Sequence, residues 1–339
     1  MLEIVLRRLI VMPFLVLGIV TATFILAQFT KGNPLVSIIG AKALSNPEIV
    51  AAAKKRWGLD RSIPERYVIY VKNLAHGDLG TSFRTRQPVL TDLAQRLPAT
   101  LELVICAMAV GAVTGLLLGV ISAQFHDRPA DHAARFIALL GSCLPIYWLG
   151  LLVLFLFSVQ LPWLPGPGRL DLRSELPETM TGFMLVDTLL AGNWNAFIDA
   201  ARHLILPALV LGWSVTGIVS RMVRASLLDV LKQDFITMAR AKGASESRVL
   251  VHHALRNALI PALTILGFTF AYLITGSVLV ETIFSWPGIG SYAVDAARAL
   301  DYPAITGVTI IGGLGFLIAN LLTDIAYAAA DPRMRGAAA

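Results

Sequence analysis

The sequence predicts an all-α polytopic membrane protein with six transmembrane helices. Three observations lead there. Only 15% of the 339 residues are charged and 56% are hydrophobic, whereas a soluble domain carries about 25% charged residues. Six apolar runs, 9–29, 101–123, 136–159, 204–223, 259–283 and 305–328, reach the roughly 17–25 residues that a bilayer crossing needs. Between the fourth and fifth lies a basic segment, 221–256, with seven basic and three acidic residues. Burying one charge at bilayer depth costs roughly 2.5–3.5 kcal/mol, so this segment is a water-facing platform held by its flanking spans.

The runs divide the chain into an N-terminal transmembrane helix (1–30), an extracytoplasmic helical segment (31–97), a core with five transmembrane helices (98–330) and a cytoplasmic tail (331–339). Six crossings put both termini on one side. The short segments of that side hold thirteen Lys and Arg, and those of the other side hold four. The positive-inside rule then makes the termini and the platform cytoplasmic. Segment 31–97 carries eleven Lys and Arg on the outside, but at 67 residues it exceeds the length over which the rule operates.

Arg7 and Arg8 precede the first run, which is longer than the hydrophobic region of a signal peptide, about 7–15 residues; it is expected to stay as a span. In the outer segment, Asn46-Pro47-Glu48 starts a helix that Gly58 can end, and Ser62 with Glu65 has capping-box spacing for a second helix through Leu74. A turn follows at His76-Gly77-Asp78-Leu79-Gly80. A cap over the membrane mouth and a docking site for an outside partner both suit such a segment. Glu102, after Pro98, is expected at a helix N-terminus, where the dipole favours a carboxylate. Cys106 and Cys143 sit inside apolar runs as small packing residues. The loop from 161 to 202 opens with three prolines and two glycines, a turn-rich entry.

On the fifth run, Gly267, Thr275, Gly276 and Ser277 supply small and polar side chains expected to meet another helix or line a pathway. Trp286, Pro287, Gly288 and Gly290 then force a turn. Ile289, Tyr292, Ala293, Ala296, Ala297 and Leu300 follow as an apolar helical stripe. The stripe fits a short helix along the outer face, and equally a re-entrant turn acting as an outer gate, which requires shielding by protein. In the platform, Asp234 begins a helical stretch in which Ala239, Ala241, Gly243 and Ala244 leave little side chain, with Arg240, Lys242, Ser245 and Arg248 around them. A small-residue patch lets another backbone approach closely, and flanking charges orient it; this favours a protein-docking surface over a solvated basic loop beside anionic headgroups, which would not need alanine and glycine here.

Several classes of chemistry have no support. The six histidines are scattered, and adjacent His252 and His253 point about 100° apart on a helix, a poor metal site. No nucleophile triad, zinc motif or phosphate loop occurs, so no cofactor and no metal is expected in this chain. Any ATP that drives it binds elsewhere. The net charge of +6 clusters beside apolar runs, which reads as topology control and not as a nucleic-acid footprint.

The stretch Ala239-Arg240-Ala241-Lys242-Gly243, with His253-Ala254-Leu255-Arg256-Asn257-Ala258-Leu259-Ile260-Pro261, resembles the cytoplasmic coupling loop of ABC importer permeases of the peptide/nickel branch. Thr237 and Met238 stand where the superfamily has Glu and Ala, and Arg256 replaces a proline; both departures fit that branch. Leu6-Arg7-Arg8-Leu9, His76 through Gly80, Ala99-Thr100-Leu101-Glu102-Leu103 and Glu281 through Gly290 match in order. Thr181-Gly182-Phe183-Met184-Leu185-Val186-Asp187 is similar to the outer loop of the dipeptide permeases within the branch. The resemblance implies a type I ABC importer permease fold in a bacterial inner membrane. It also implies a second homologous permease, two ATPase subunits that bind ATP and Mg, and an extracytoplasmic peptide-binding protein. Residues Ala239 to Ser245 would couple to the ATPase. Nickel chelates, glutathione, longer peptides and haem use related permeases. An ion-coupled carrier is the rival class and would need mid-span ionisable residues. A non-transporting scaffold is a third reading, disfavoured by the polar residues of the fifth run.

Overall fold

The structure, a computed structural model, describes residues 2–29, 35–171, 173, 174 and 176–330; the expected tail 331–339, with Arg333 and Arg335, lies outside them. Helices α1 (Leu2–Phe29), α2 (Leu35–Ile39), α3 (Pro47–Arg56) and α4 (Ile63–Ala75) form the N-terminal part. The caps expected from sequence are present. The Asn46 side chain accepts from the backbone of Glu48 at 3.0 Å, and the Ser62 N–H donates to Glu65 at 3.1 Å. Gly58, at φ 64°, ends the first helix, because that backbone region costs glycine nothing.

Helices α5 (Val89–Gln124), α6 (Pro129–Cys143), α7 (Ile146–Leu154), α8 (Met184–Leu190) and α9 (Trp194–Val230) follow. Then come α10 (Asp234–Ala241), α11 (Glu246–Arg248), α12 (Leu255–Ile283), α13 (Ile289–Arg298) and α14 (Tyr302–Ala330). A π-helical stretch, Val249–Ala254, joins α11 to α12. No strand occurs among the described residues, only an isolated bridge between Thr81 and Pro88.

The central seam is α5 against α9, two parallel helices that approach through glycine. A Cβ on Gly111 would meet the Gly212 carbonyl and Val215 Cβ at 2.5 Å, one on Gly115 would meet Val219 at 2.7 Å, and one on Gly119 would meet Val223 at 2.8 Å. Without a hydrophobic force between helices in lipid, such small-residue contacts carry the packing. Thr114 and Thr216 bridge the seam by a 2.6 Å hydrogen bond. Val215 and Val223 are fully buried beside it. α12 crosses the seam antiparallel, and α14 runs back along α12, Gly267 against Thr323 and Gly315 against Ile274. α1 lies on α14 through Ile19 and Gly313.

One end of the bundle thus holds 125–128 and the platform, of which 221–230, with Arg221 and Arg224, form the last turns of α9 and not a water-facing loop, while 231–254 lie beyond it; the opposite end holds the turns around 80, 182 and 286. Four straight helical stretches are long and apolar enough to cross a membrane: Val89–Gln124, Trp194–Val230, Ile265–Ile283 and Tyr302–Thr323. The expected third run is not a straight span. It is Pro129–Cys143 followed by Ile146–Gln160, bent by 104°, because Pro145 drives Leu144 out of the helical region to ψ 134°. The first run is carried by α1, whose described apolar stretch, Ile10–Leu26, is shorter than the other four.

Other boundaries differ from expectation for one physical reason. Pro98, Pro207 and Pro261 all lie inside helices, where neighbouring helices in a membrane bundle can re-satisfy the freed backbone. α5 therefore begins before Glu102 and α9 begins at Trp194, well before Pro207; the 161–202 loop also holds the short helix α8.

Candidate functional site

The platform is compact. Ile236 of α10 is fully buried and anchors it, while Phe235 and Met238 stand 39% and 59% exposed. Ala239 and Ala244 face inward, half-buried, and Arg240, Ala241, Lys242, Gly243 and Ser245 are exposed. Gly243 closes α10 at φ 82°, with its N–H on the Arg240 carbonyl at 2.9 Å. Ser245 then caps α11, its carbonyl accepting from Val249 at 2.9 Å. Across this turn Arg240 grips Glu246 twice, at 2.8 and 3.1 Å. That pair holds the Glu246 carboxyl below its ordinary range and the Arg240 guanidinium above its own. The expected small-residue surface is present, and sequence reasoning missed the apolar pair Phe235 and Met238 beside it. Their spacing of three, on one helix face, was the available signal.

The platform is tied to the bundle by Asp131. This fully buried carboxylate accepts from Arg224 Nη2 at 3.0 Å, from Ser122 and from the Asp127 backbone at 3.0 Å. It joins α5, α6 and α9 at one point.

At the opposite end, Trp286 is buried, with its indole N–H on the Ala99 carbonyl at 2.8 Å. Glu281, fully buried, accepts from Thr100 at 2.7 Å, from Ser277 at 2.9 Å and from the Ser291 backbone at 2.9 Å. Gly288 and Gly290 are glycines because a Cβ there would strike this carboxylate, at 2.5 and 2.9 Å respectively. Pro287 is exposed. Arg169 stacks over the Trp286 ring at 5.4 Å and pairs with Glu102, which also accepts from the Leu185 backbone at 2.8 Å. Glu102 is therefore held by an ion pair inside α5 and not by a helix dipole. Asp187, outside the spans, is hydrogen-bonded by Thr181 and Gly182. Burial pushes its carboxyl up, and those bonds together bring it below its ordinary range. α13 buries Ile289, Tyr292 and Ala296 of the expected stripe, while Ala297 is exposed and Leu300 lies beyond the helix.

The four residues of the fifth run do not share a face. Gly267 packs on Thr323, Ser277 is buried on Glu281, Gly276 lies against Tyr272, and Thr275 is exposed. The uncovered face of α12 carries Phe268, Tyr272, Thr275, Leu279 and Thr282. Among the described residues no cluster of three metal-ligating side chains occurs.

The family model for the binding-protein-dependent transport system inner membrane component matches residues 115–336. The model for the N-terminal part of such membrane components matches residues 1–104. The chain is 44% identical to the di/tripeptide transport system permease protein DppB of Pseudomonas aeruginosa over 336 residues, 99% of each chain. It is 41% identical to the probable D,D-dipeptide transport system permease protein DdpB of Escherichia coli, covering 94% of this chain and 93% of that one. It is 40% identical to the dipeptide transport system permease protein DppB of Escherichia coli, over 99% of each. Helical bundle, apolar spans and full-length similarity agree: the chain belongs to the family of binding-protein-dependent transport system inner membrane components, the permeases of ABC importers.

Proposed function

We propose that this chain is a non-catalytic subunit of an ATP-driven importer and forms half of a translocation pathway for dipeptides or short peptides. The observation that carries the reading is full-length similarity to permeases named for dipeptide transport. The platform gives it a mechanism. A second permease of the same family completes the pathway, a binding protein delivers peptide, and each permease rests on an ATPase that binds ATP and Mg. In this reading the platform end is cytoplasmic, as the charge distribution favours. The segment from Ala239 to Ser245, with Phe235 and Met238 beside it, seats in the ATPase. Closure of the ATPase pair moves α10, and α9 and α12 carry the movement to the opposite end. There Trp286, Pro287, Gly288 and Gly290 form part of the outer gate, and Thr275 and Gly276 lie beside the pathway. The work is a population shift between inward and outward access, driven by partners that bind the two states differently.

Purification of the chain from its host membrane, followed by reconstitution with the proteins that accompany it, tests this. The expected result is two ATPases, a second permease and ATP-dependent dipeptide uptake. Uptake by the chain alone, driven by an ion gradient, would overturn it.

A further inference from the structure

Between α6 and α9, in the platform half of the bundle, a cavity of about 290 Å³ is lined by Arg135, Ala138, Leu139, Ser220, Arg221 and Arg224. Its arginines are not equivalent. Arg224 is committed to Asp131 by bonds of 3.2 and 3.0 Å. Arg135 touches the same carboxylate at 3.0 Å and His132 at 2.9 Å. Arg221 bonds the Ser142 hydroxyl at 3.1 Å, and among the described residues no carboxylate pairs with it. Asp131 is saturated, so the cavity keeps an excess of positive charge.

The direction in which Arg221 reaches is informative. Ser142 packs on Gly217, one turn farther from the platform than Arg221 itself. It lies six residues past the start of the apolar run at 136, about 9 Å at 1.5 Å per residue inside a roughly 30 Å hydrocarbon layer. An arginine facing lipid bends its head back to the interface; Arg221 points inward. The α6–α7 break sits beside it, with Ser142, Cys143 and Pro145 all exposed. Broken backbone at that depth is tolerated only where protein covers it or water reaches it. Both features mark this face as the wall of a water-filled space.

Resting on the peptide-import reading, we propose that Arg221 and Ser142, at the α6–α7 break, form an anion site on the translocation pathway that takes the carboxylate of the passing peptide. Arg135 adds a second positive charge at the platform side, along the exit direction. The guanidinium offers planar donors matched to a carboxylate, and the Ser142 hydroxyl is released to the same anion.

The assembled transporter supplies the test. In Arg221→Gln, dipeptide uptake falls about tenfold, the loss expected for one charge-assisted hydrogen bond, while ATP hydrolysis stimulated by loaded binding protein persists. Arg221→Lys keeps most of the uptake. In the wild type, mass spectrometry finds Cys143 modified by a charged, membrane-impermeant thiol reagent, more slowly when dipeptide is present. Wild-type uptake in Arg221→Gln would overturn the site alone. Cys143 that reacts only with a lipid-soluble reagent, together with an anionic phospholipid retained by the wild type and lost in Arg221→Gln, would make it a lipid headgroup site instead. A wild-type complex that imports no dipeptide overturns the transport reading and the peptide carboxylate with it.

Discussion

Thr100 of α5 donates its hydroxyl to the Glu281 carboxylate of α12 at 2.7 Å, and the same hydroxyl oxygen accepts the Ile289 N–H at 2.9 Å. One side chain thus fastens two helices and the first residue of α13. Thr100→Val keeps the shape but removes both bonds and leaves a buried N–H unpaired, at a cost of about 2 kcal/mol. Thermal unfolding of the purified transporter should show a lower midpoint. Thr100→Ser, which keeps the hydroxyl, should recover most of it; equal loss in both variants would show that the methyl group matters more than the bonds.

The α5–α9 seam makes a sharper stability prediction. Gly115→Ala places a methyl 2.7 Å from Val219 Cβ and 3.0 Å from the Thr216 carbonyl, where backbone must move. Overpacking of this kind costs about 1–3 kcal/mol. Gly312→Ala meets nothing within 4 Å and should be neutral. The pair, compared by detergent thermal stability, separates a packing role from the general effect of adding a helix-forming alanine.

The same seam shows which features a sequence displays. The spacing of Gly111, Gly115 and Gly119 is a local, four-residue signal that can be read directly along the chain. The helix starts at Pro47 and Ile63 are equally local, because a cap is written within three residues. The ion pair of Glu102 with Arg169 joins residues 67 apart, and no periodicity predicts it. Pro98 misleads in the other direction, because α5 runs through it and the rule that ends helices at proline belongs to water. The platform is legible because charge excludes it from the bilayer. The Ser142–Arg221 contact is not, because it depends on which way one flexible side chain turns.

Gly243 holds φ at 82°, and a Cβ there would meet nothing, so backbone strain alone decides what it tolerates. A left-handed conformation costs an ordinary residue about 1–2 kcal/mol. Asparagine tolerates it better and valine worst. Gly243→Val should reshape the turn between α10 and α11, leaving membrane insertion intact while uncoupling ATP hydrolysis from uptake. Gly243→Asn should transport nearly normally. If Gly243→Val imports dipeptide at the wild-type rate, the assignment of Ala239 to Ser245 as the coupling segment fails.

The Arg240–Glu246 clamp closes that same turn, and its pH dependence has a fixed sign. Its hydrogen bond to Arg240 lowers the Glu246 carboxyl below its ordinary 4.5. A carboxyl lowered in the folded state contributes its full stabilisation above the unfolded value and loses it as pH falls through the folded one. Amide exchange across 240–248 should therefore stay slow from neutral pH down to about 5 after correction for intrinsic rates, and speed up as the pH drops below 4.5. In Glu246→Gln the fast exchange should already be present at neutral pH and show no such step. The clamp is solvent-exposed, at 42% and 72% for its two side chains, so added salt should loosen it in the wild type and leave the variant unchanged. Salt-independent exchange in the wild type would assign the rigidity of the turn to Gly243 and the Ser245 cap alone.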